Sequence, residues 1–320
     1  MPIKVLPGPR FSERTTLKLG GCAQAEVVAV LAGDESAPGE DLIQEFGEGL
    51  SAELARHASR PFVLGHGSNL LAGDADLDLV VVSVAPGEPI LADTESETGS
   101  LVRVPGGLML PRLVGWAAVH GLSGLEGLAG IPGTVGGAVA MNAGSYGQEM
   151  AGVLSRVLVW DGAGGARWIG PELWEARYRG FTPLRAGAAG ALQPLEAPWL
   201  ALAAELRLTS ADRESVRRAV SANLARKIAT QPVGAATCGC AFKNPPASAG
   251  EGLSAGRMLD ELGFKGRGLR GVAFSAMHAN FLVNEGGGTA QAALELLALA
   301  QEAVKARFGL TLELEVRVVS

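Results

Sequence analysis

The sequence predicts an α+β fold, and three observations lead there. Short runs rich in Val, Leu and Ala recur along the chain with turn residues between them, the mark of many short strands. Helix-length patterns are few and do not form the regular series that repeated βαβ units would give. The 45 glycines cluster beside apolar runs, which fits tight turns and close approach to a ligand rather than a flexible chain.

Residues 24–60 read as a strand, a polar loop (GDESAPGED) and a helix, DLIQEFGEGLSAELARHA. PFVLG at 61–65 is a short apolar strand ending in glycine, and LDLVVVSV at 77–84 is another. Residues 100–210 mix strands (LVRVP, VLSRVLVWD, ALAAELRLT) with one helix near 110–120. Beyond 210, RESVRRAVSANLARKI reads as an amphipathic helix with its basic residues on the polar face. A loop rich in Gly, Cys and Pro follows it. GTAQAALELLALAQEAVKARFG is the longest helix, with Thr289 as its cap and Gly309 past its end. LTLELEVRVV is a final strand of alternating character. Boundaries fall near 85 and 210.

With 320 residues and 48% hydrophobic content, the chain can bury a substantial core. Its net charge of −6 argues against a nucleic-acid partner, whose phosphates need a basic surface, but leaves room for a small phosphate ligand. The opening MPIKVLPGPRFSERTT has no apolar run behind its basic residues and is not read as a signal peptide. No stretch of about 18 apolar residues suggests a membrane span. Cys22, Cys238 and Cys240 are too few for a disulfide scaffold and suit a reducing cytoplasm. The Cys-Gly-Cys spacing is too short for the usual zinc pairs and no second pair exists, so no metal is expected.

GHGSNLL at 65–71 follows a strand, the place of a dinucleotide-binding turn, but departs from that fingerprint. Leu70 stands at the third glycine position, and Gly73 and Asp74 interrupt before another strand. No acidic residue ends a second strand about 20 residues on. Two readings stay open: a tight turn between strands, or a nest of main-chain amides, aided by Ser68 and Asn69, cradling a pyrophosphate. In the second, His66 offers its main-chain amide. GLSGLEGLAGIPGTVGGAVAMNAGSYGQEM at 121–150 is more specific. Glycines and apolar residues interleave there, so the backbone can pass close to a large flat ligand. Pro132 fixes one turn, and Thr134 and Asn142 supply polar anchors.

With these motifs the sequence resembles the UDP-N-acetylenolpyruvoylglucosamine reductase (MurB) family of bacterial peptidoglycan synthesis. The resemblance runs almost end to end: TTLKLGG at 15–21, LGHGSNLL at 64–71, SGLEGLAGIPGTVGGAVAMNAGSYG at 123–147, YRGF at 178–181, GCAFKNP at 239–245, AGRMLDELGFKG at 255–266, HANFLVN at 278–284 and LELEVRVV at 312–319. It implies an FAD-binding fold of the vanillyl-alcohol-oxidase (PCMH) type in two subdomains, 1–85 and 86–210. A smaller α+β substrate-binding domain, 211–320, follows. It implies non-covalent FAD held by Leu64, Gly65, His66, Gly67, Ser68, Asn69, Leu70, Gly130, Ile131, Pro132, Gly133, Thr134, Gly136, Gly137, Ala138, Asn142 and Gly144. NADPH is the implied reductant, and a small UDP-sugar enolpyruvyl ether the implied substrate.

The family reaction reduces a vinyl ether to a lactyl ether, so negative charge builds on a carboxylate and its α-carbon needs a proton. The resemblance assigns Arg179 to that charge, where a guanidinium can fork onto a carboxylate. It assigns a catalytic role to the glutamate before Val-Arg, which is Glu315; spacing alone does not separate it from Glu313 on the same strand face. Cys240 stands where most relatives carry serine. A thiol, with an ordinary pKa of about 8.5, still has a proton to give, while the plain alternative is a small buried hydrophobe. Lys243 suits a diphosphate, Asn244 a polar edge of nucleotide or sugar, and Tyr178 a phosphate contact or core packing. Residues 182–200 are short and lack tyrosine, so the chain resembles the family form without a tyrosine-bearing loop over the substrate. Two competing readings are another flavin oxidoreductase on the same scaffold and a non-catalytic FAD-binding paralogue.

Overall fold

Strand Leu79–Val84 is apolar on both faces and buried along nearly its whole length, as a strand covered on both sides must be. It lies between Ala25–Ala29 and Arg60–Val63, parallel to both, and Ile3–Pro7 closes the far edge antiparallel to Ala25–Ala29. The computed structural model describes residues 1–31, 39–96, 99–162, 164–187, 191–195, 198–249 and 252–320. Most of the polar loop expected at 33–41 falls outside them.

The described helices of four residues or more, in chain order, are α1 Phe11–Arg14, α2 Glu40–Leu54, α3 Leu110–His120, α4 Val135–Ala140, α5 Arg213–Thr230, α6 Ala255–Glu261 and α7 Ala290–Phe308. Their ends follow local chemistry. Gly121 and Gly309 take left-handed φ values of 68° and 71° as they close α3 and α7. The side chain of Thr289 accepts the Ala292 N–H at the start of α7, as the sequence predicts. The Asp74 carboxylate adds a second cap there, accepting the N–H groups of Ala290 and Gln291.

The chain divides into two compact units. Unit 1 holds Met1–Gly8, Gln24–His66 and Asp78–Ala225; unit 2 holds Pro9–Ala23, Gly67–Leu77 and Arg226–Ser320. The stretch expected as the first subdomain, 1–85, therefore contributes chain to both. The reason within unit 2 is strand pairing: Leu70–Ala72 runs parallel to the terminal Arg317–Val319.

Unit 1 contains the parallel sheet and an antiparallel sheet in the order Ala166–Ile169, Leu154–Trp160, Leu200–Ser210, Gly99–Pro105, Ile90–Ser96. One core joins α2 (Ile43, Phe46, Leu50) to Val27, Val80, Val82 and Trp160. A second gathers α3, α4 and the glycine-rich segment on Val102, Val104, Leu206 and Leu208. Trp174–Arg177, Gly180–Ala186 and Leu192–Pro194 form a small three-stranded sheet. Unit 2 orders its strands Thr237–Cys240, Phe281–Asn284, Val272–Phe274, Gly268–Leu269 and packs them with α6 and α7 around Phe242, Phe264, Phe274 and Leu296.

Two expectations are corrected. The final strand is Arg317–Val319, not 310–319. Residues 313–316 follow Ala241–Lys243 through a single bridge, Leu314 opposite Phe242, and the chain then turns to pair with Leu70–Ala72. A strand that changes partner midway cannot keep one continuous ladder. The polar face expected of α5 also fails at its end: Lys227 is 3% exposed while Ile228 is 54% exposed.

Candidate active site

The two glycine segments meet inside unit 1 at Gly65. A Cβ there would lie 2.6 Å from Thr134 Oγ1, so only glycine lets the strand end rest on the second segment. Leu64 is buried, with its N–H on Val82 O. Thr134 caps α4, accepting the Gly137 N–H. Gly136 donates to Gly106 O and sits against the Ala201 carbonyl, which holds α4 close on the sheet. Ala138 is buried beneath it, while Ile131 and Pro132 line the turn before it. Gly130 and Gly133 take φ values of 72° and 123°.

The residues after His66 belong to unit 2. Gly67, at φ 70°, abuts Thr15 of the TTLKLGG segment. Asn69 donates its side-chain N–H to the Glu315 carbonyl, and its own carbonyl accepts the Arg317 N–H. Leu70 begins the strand that pairs with Arg317. Ser68 stands between them in the turn.

Tyr178 and Arg179 form the two-residue turn of a hairpin closed by Arg177 opposite Gly180. Arg179 takes φ 56°, a left-handed conformation uncommon for a residue other than glycine. Its Nη1 donates to Gly144 O at 3.3 Å, and its guanidinium carbon lies 4.8 Å from the centre of the half-exposed Tyr178 ring. Asn142 is buried and also left-handed, at φ 39°. Both ends of its amide are engaged: Nδ2 donates to Arg177 O and Oδ1 accepts the Ala151 N–H.

In unit 2 the structure brings Cys240 and Glu315 onto adjacent chain segments. The Glu315 N–H donates at 2.8 Å to the carbonyl of Ala241, next to Cys240. Both side chains are half-buried. Burial pushes the Cys238 thiol up to about 12; a bond with its own main chain opposes this, and nearby Cys240 and Glu315 add to it. Cys238 is therefore a neutral core thiol. Glu313 is separated from Glu315: it is exposed and pairs with Lys243 at 3.2 Å. That pair engages the lysine expected to meet a diphosphate. The Asn244 side-chain oxygen accepts the Ala255 N–H at the start of α6, which leaves its N–H groups for other work.

Asn280, 2% exposed, clamps this segment from the other side. Its Nδ2 donates to Phe242 O and its Oδ1 accepts the Phe242 N–H. Burial lowers the pKa of His278, so its ring is neutral at neutral pH, edge-on to Phe281. Lys227 was not among the predicted residues. A lysine only 3% exposed needs partners for its charge, and helical spacing alone gave no sign of that burial.

The described residues of unit 1 fit an anionic, flat cofactor. Among the described residues, the main-chain N–H groups of Gly65, Gly130 and Gly133 make no hydrogen bond. Amides unused by the fold, on glycines without side chains in the way, can donate to phosphate or ring oxygens.

Comparison with known proteins agrees with this geometry. Residues 231–319 match the model of the UDP-N-acetylenolpyruvoylglucosamine reductase C-terminal domain, and residues 51–168 match an FAD binding domain. The chain is 45% identical to the UDP-N-acetylenolpyruvoylglucosamine reductase of Oleidesulfovibrio alaskensis, over 98% of this chain and 97% of that one. It is 44% identical to the enzyme of that name from Nitratidesulfovibrio vulgaris, over 99% of both chains. The crystal structure of UDP-N-acetylenolpyruvylglucosamine reductase (MurB) from Thermus caldophilus superposes with a TM-score of 0.74 at 32% identity, covering 100% of each chain. The relatives are matched along their length, and the chain belongs to the UDP-N-acetylenolpyruvoylglucosamine reductase family.

Proposed function

We propose that the chain is a UDP-N-acetylmuramate dehydrogenase of peptidoglycan synthesis: it reduces UDP-N-acetylglucosamine enolpyruvate to UDP-N-acetylmuramate with NADPH, through FAD. FAD held by the glycine segments would supply the two-electron chemistry, carrying hydride from NADPH to the vinyl β-carbon. The remaining work falls to the protein. Leu64 to Leu70, Gly130 to Thr134, Gly136 to Ala138 and Gly144 line the cofactor, with the main-chain N–H groups of Gly65, Gly130 and Gly133 as donors; Asn142, whose amide is engaged by Arg177 and Ala151, braces that segment instead. Arg179 faces the growing negative charge of the substrate carboxylate, with a planar fork suited to two carboxylate oxygens. Cys240 gives its proton to the α-carbon, and Glu315 supplies a carboxylate able to hold or pass that proton. Tyr178, Lys243 and Asn244 contact the UDP portion of the substrate. In sequence, 1–85 and 86–210 serve the cofactor and 211–320 the substrate.

The observation that carries this reading is the main-chain bond from Glu315 to Ala241, which fastens the glutamate beside Cys240. The partners are small molecules, with neither nucleic acid nor membrane among them. No helix of the described residues is long and apolar enough to cross a membrane. NADPH and three free thiols suit a reducing cytoplasm. The test is NADPH oxidation by the FAD-loaded protein with and without the enolpyruvyl substrate. Oxidation that depends on substrate, with a product two hydrogens heavier, is expected. A protein that retains FAD yet shows no substrate-dependent oxidation would be the non-catalytic paralogue.

A further inference from the structure

We propose that Asn142 is a positioning residue that sets the reach of Arg179. The inference rests on the reading above in one respect, that Arg179 serves the substrate carboxylate. Asn142 sits in the glycine-rich segment, 1% exposed, with φ 39°. Asparagine tolerates that conformation better than most residues, so the backbone turns there at small cost. Its amide Nδ2 donates at 3.2 Å to the carbonyl of Arg177, the last residue before the Tyr178-Arg179 turn. Its Oδ1 accepts the Ala151 N–H at 2.9 Å, which fixes the rotamer from the opposite end. An amide held at both ends cannot swing, so the base of the hairpin is tied to a buried, fixed point.

Arg179 needs such a tie. It is left-handed at φ 56°, in a turn with only two residues between paired strands. A residue held in a sparsely populated conformation stays there when its surroundings over-determine it. The second tie comes from the same segment: Arg179 Nη1 donates to the carbonyl of Gly144, two residues beyond Asn142. The side chain of Asn142 touches backbone at both ends, which marks it as acting through Arg179 rather than on the reacting atoms.

The experiment is a double-mutant cycle on the FAD-loaded protein, read by stopped flow in both half-reactions. Asn142→Gly removes the amide and keeps the left-handed backbone. Asn142→Ser removes the donor to Arg177 without adding charge and leaves a hydroxyl for the Ala151 side, so it serves if the glycine variant does not fold. Expected for either variant is full FAD content and flavin reduction by NADPH within about twofold of the parent, with reoxidation by the enolpyruvyl substrate slowed about tenfold. In an Arg179→Ala background the same change should slow reoxidation less than about twofold, because the residue it acts through is gone. Multiplicative slowing of reoxidation in the double variant overturns the inference and leaves the role of Arg179 standing. Loss of FAD also overturns it, since Asn142 would then hold the cofactor. Unchanged reoxidation in Arg179→Ala alone overturns the parent reading, and the positioning role with it.

Discussion

Cys240 and Glu205 show how different two polar residues can be in one chain. Cys240 lies half-buried beside the segment that carries Glu315, while Cys238, two residues back, is sealed in the core. Replacing Cys240 with alanine should leave flavin reduction by NADPH unchanged and slow substrate reduction by roughly 10²–10⁴-fold, the usual worth of a positioned acid. Serine at that position should restore most of the rate. Equal slowing of both half-reactions in stopped flow would remove Cys240 from the proton-donor role. Glu205 is a buried carboxylate of the sheet. Its side chain is 1% exposed on the central strand of the antiparallel sheet, between Arg103 at 2.8 Å and Arg156 at 2.9 Å. Burial raises its pKa, but hydrogen bonds from Arg156 and Arg103 outweigh that and hold it below 4.5. A carboxylate with a depressed folded-state value stabilises the fold above the unfolded value and loses that contribution as pH falls through the folded one. Glu205→Gln should cost about 2–3 kcal/mol near neutral pH, less than for a fully buried pair because Arg156 is half-exposed. The difference from the parent should narrow as pH falls below the ordinary carboxylate range and close only once the pH has passed the depressed folded-state value, where the parent's own carboxylate is protonated. Urea titrations at pH 7 and at acid pH measure both; a gap that persists in acid would count against the ion-pair account.

At the scale of elements, the telling feature is how little regular structure surrounds the chemistry of unit 2. Cys240 ends a four-residue strand with an irregularity between Thr237 and Cys240, and Glu315 lies in a stretch with one isolated bridge. Such a segment needs side chains to satisfy its backbone, and Asn280 does this for Phe242 at both the N–H and the C=O. Asn280→Ala should orphan two buried main-chain groups at a cost of roughly 2–4 kcal/mol. In a chain of this size the midpoint of thermal unfolding should drop by roughly 5–10 °C. A variant melting within a degree of the parent would show that water or repacking replaces the clamp. The same logic explains why strand alternation could not choose between Glu313 and Glu315. The residues do not form a strand there, and their difference comes from Lys243 reaching one of them.

For the whole molecule, the cofactor-binding segments point to a hold made of main-chain amides and glycine contacts rather than a covalent tether. Denaturing the yellow protein in guanidinium and passing it through a size filter should release FAD into the filtrate. Colour retained on the chain would instead indicate a tethered flavin of the oxidase kind. The net charge of −6 is compatible with an anionic cofactor because recognition by local amides needs no basic surface.

The amino-acid sequence by itself determined the fold class, the longest helix with its caps, both glycine segments and the family, since these rest on local chemistry and residue order. Thr289 and Gly309 act at the ends of α7 as their residue types require. Gly65 is legible as the glycine that ends an apolar strand, while its approach to Thr134 is a fact of the fold. Tertiary structure alone decided what depends on partners distant along the chain. It placed Leu70–Ala72 on the terminal strand, drew Pro9–Ala23 into unit 2, buried Lys227 and exposed Ile228, and paired Glu313 with Lys243. It also spent both ends of the Asn142 amide on backbone. A side chain's type states which bonds it can make, but only the folded chain states which groups lie within reach, as the Asn142 amide between Arg177 and Ala151 shows.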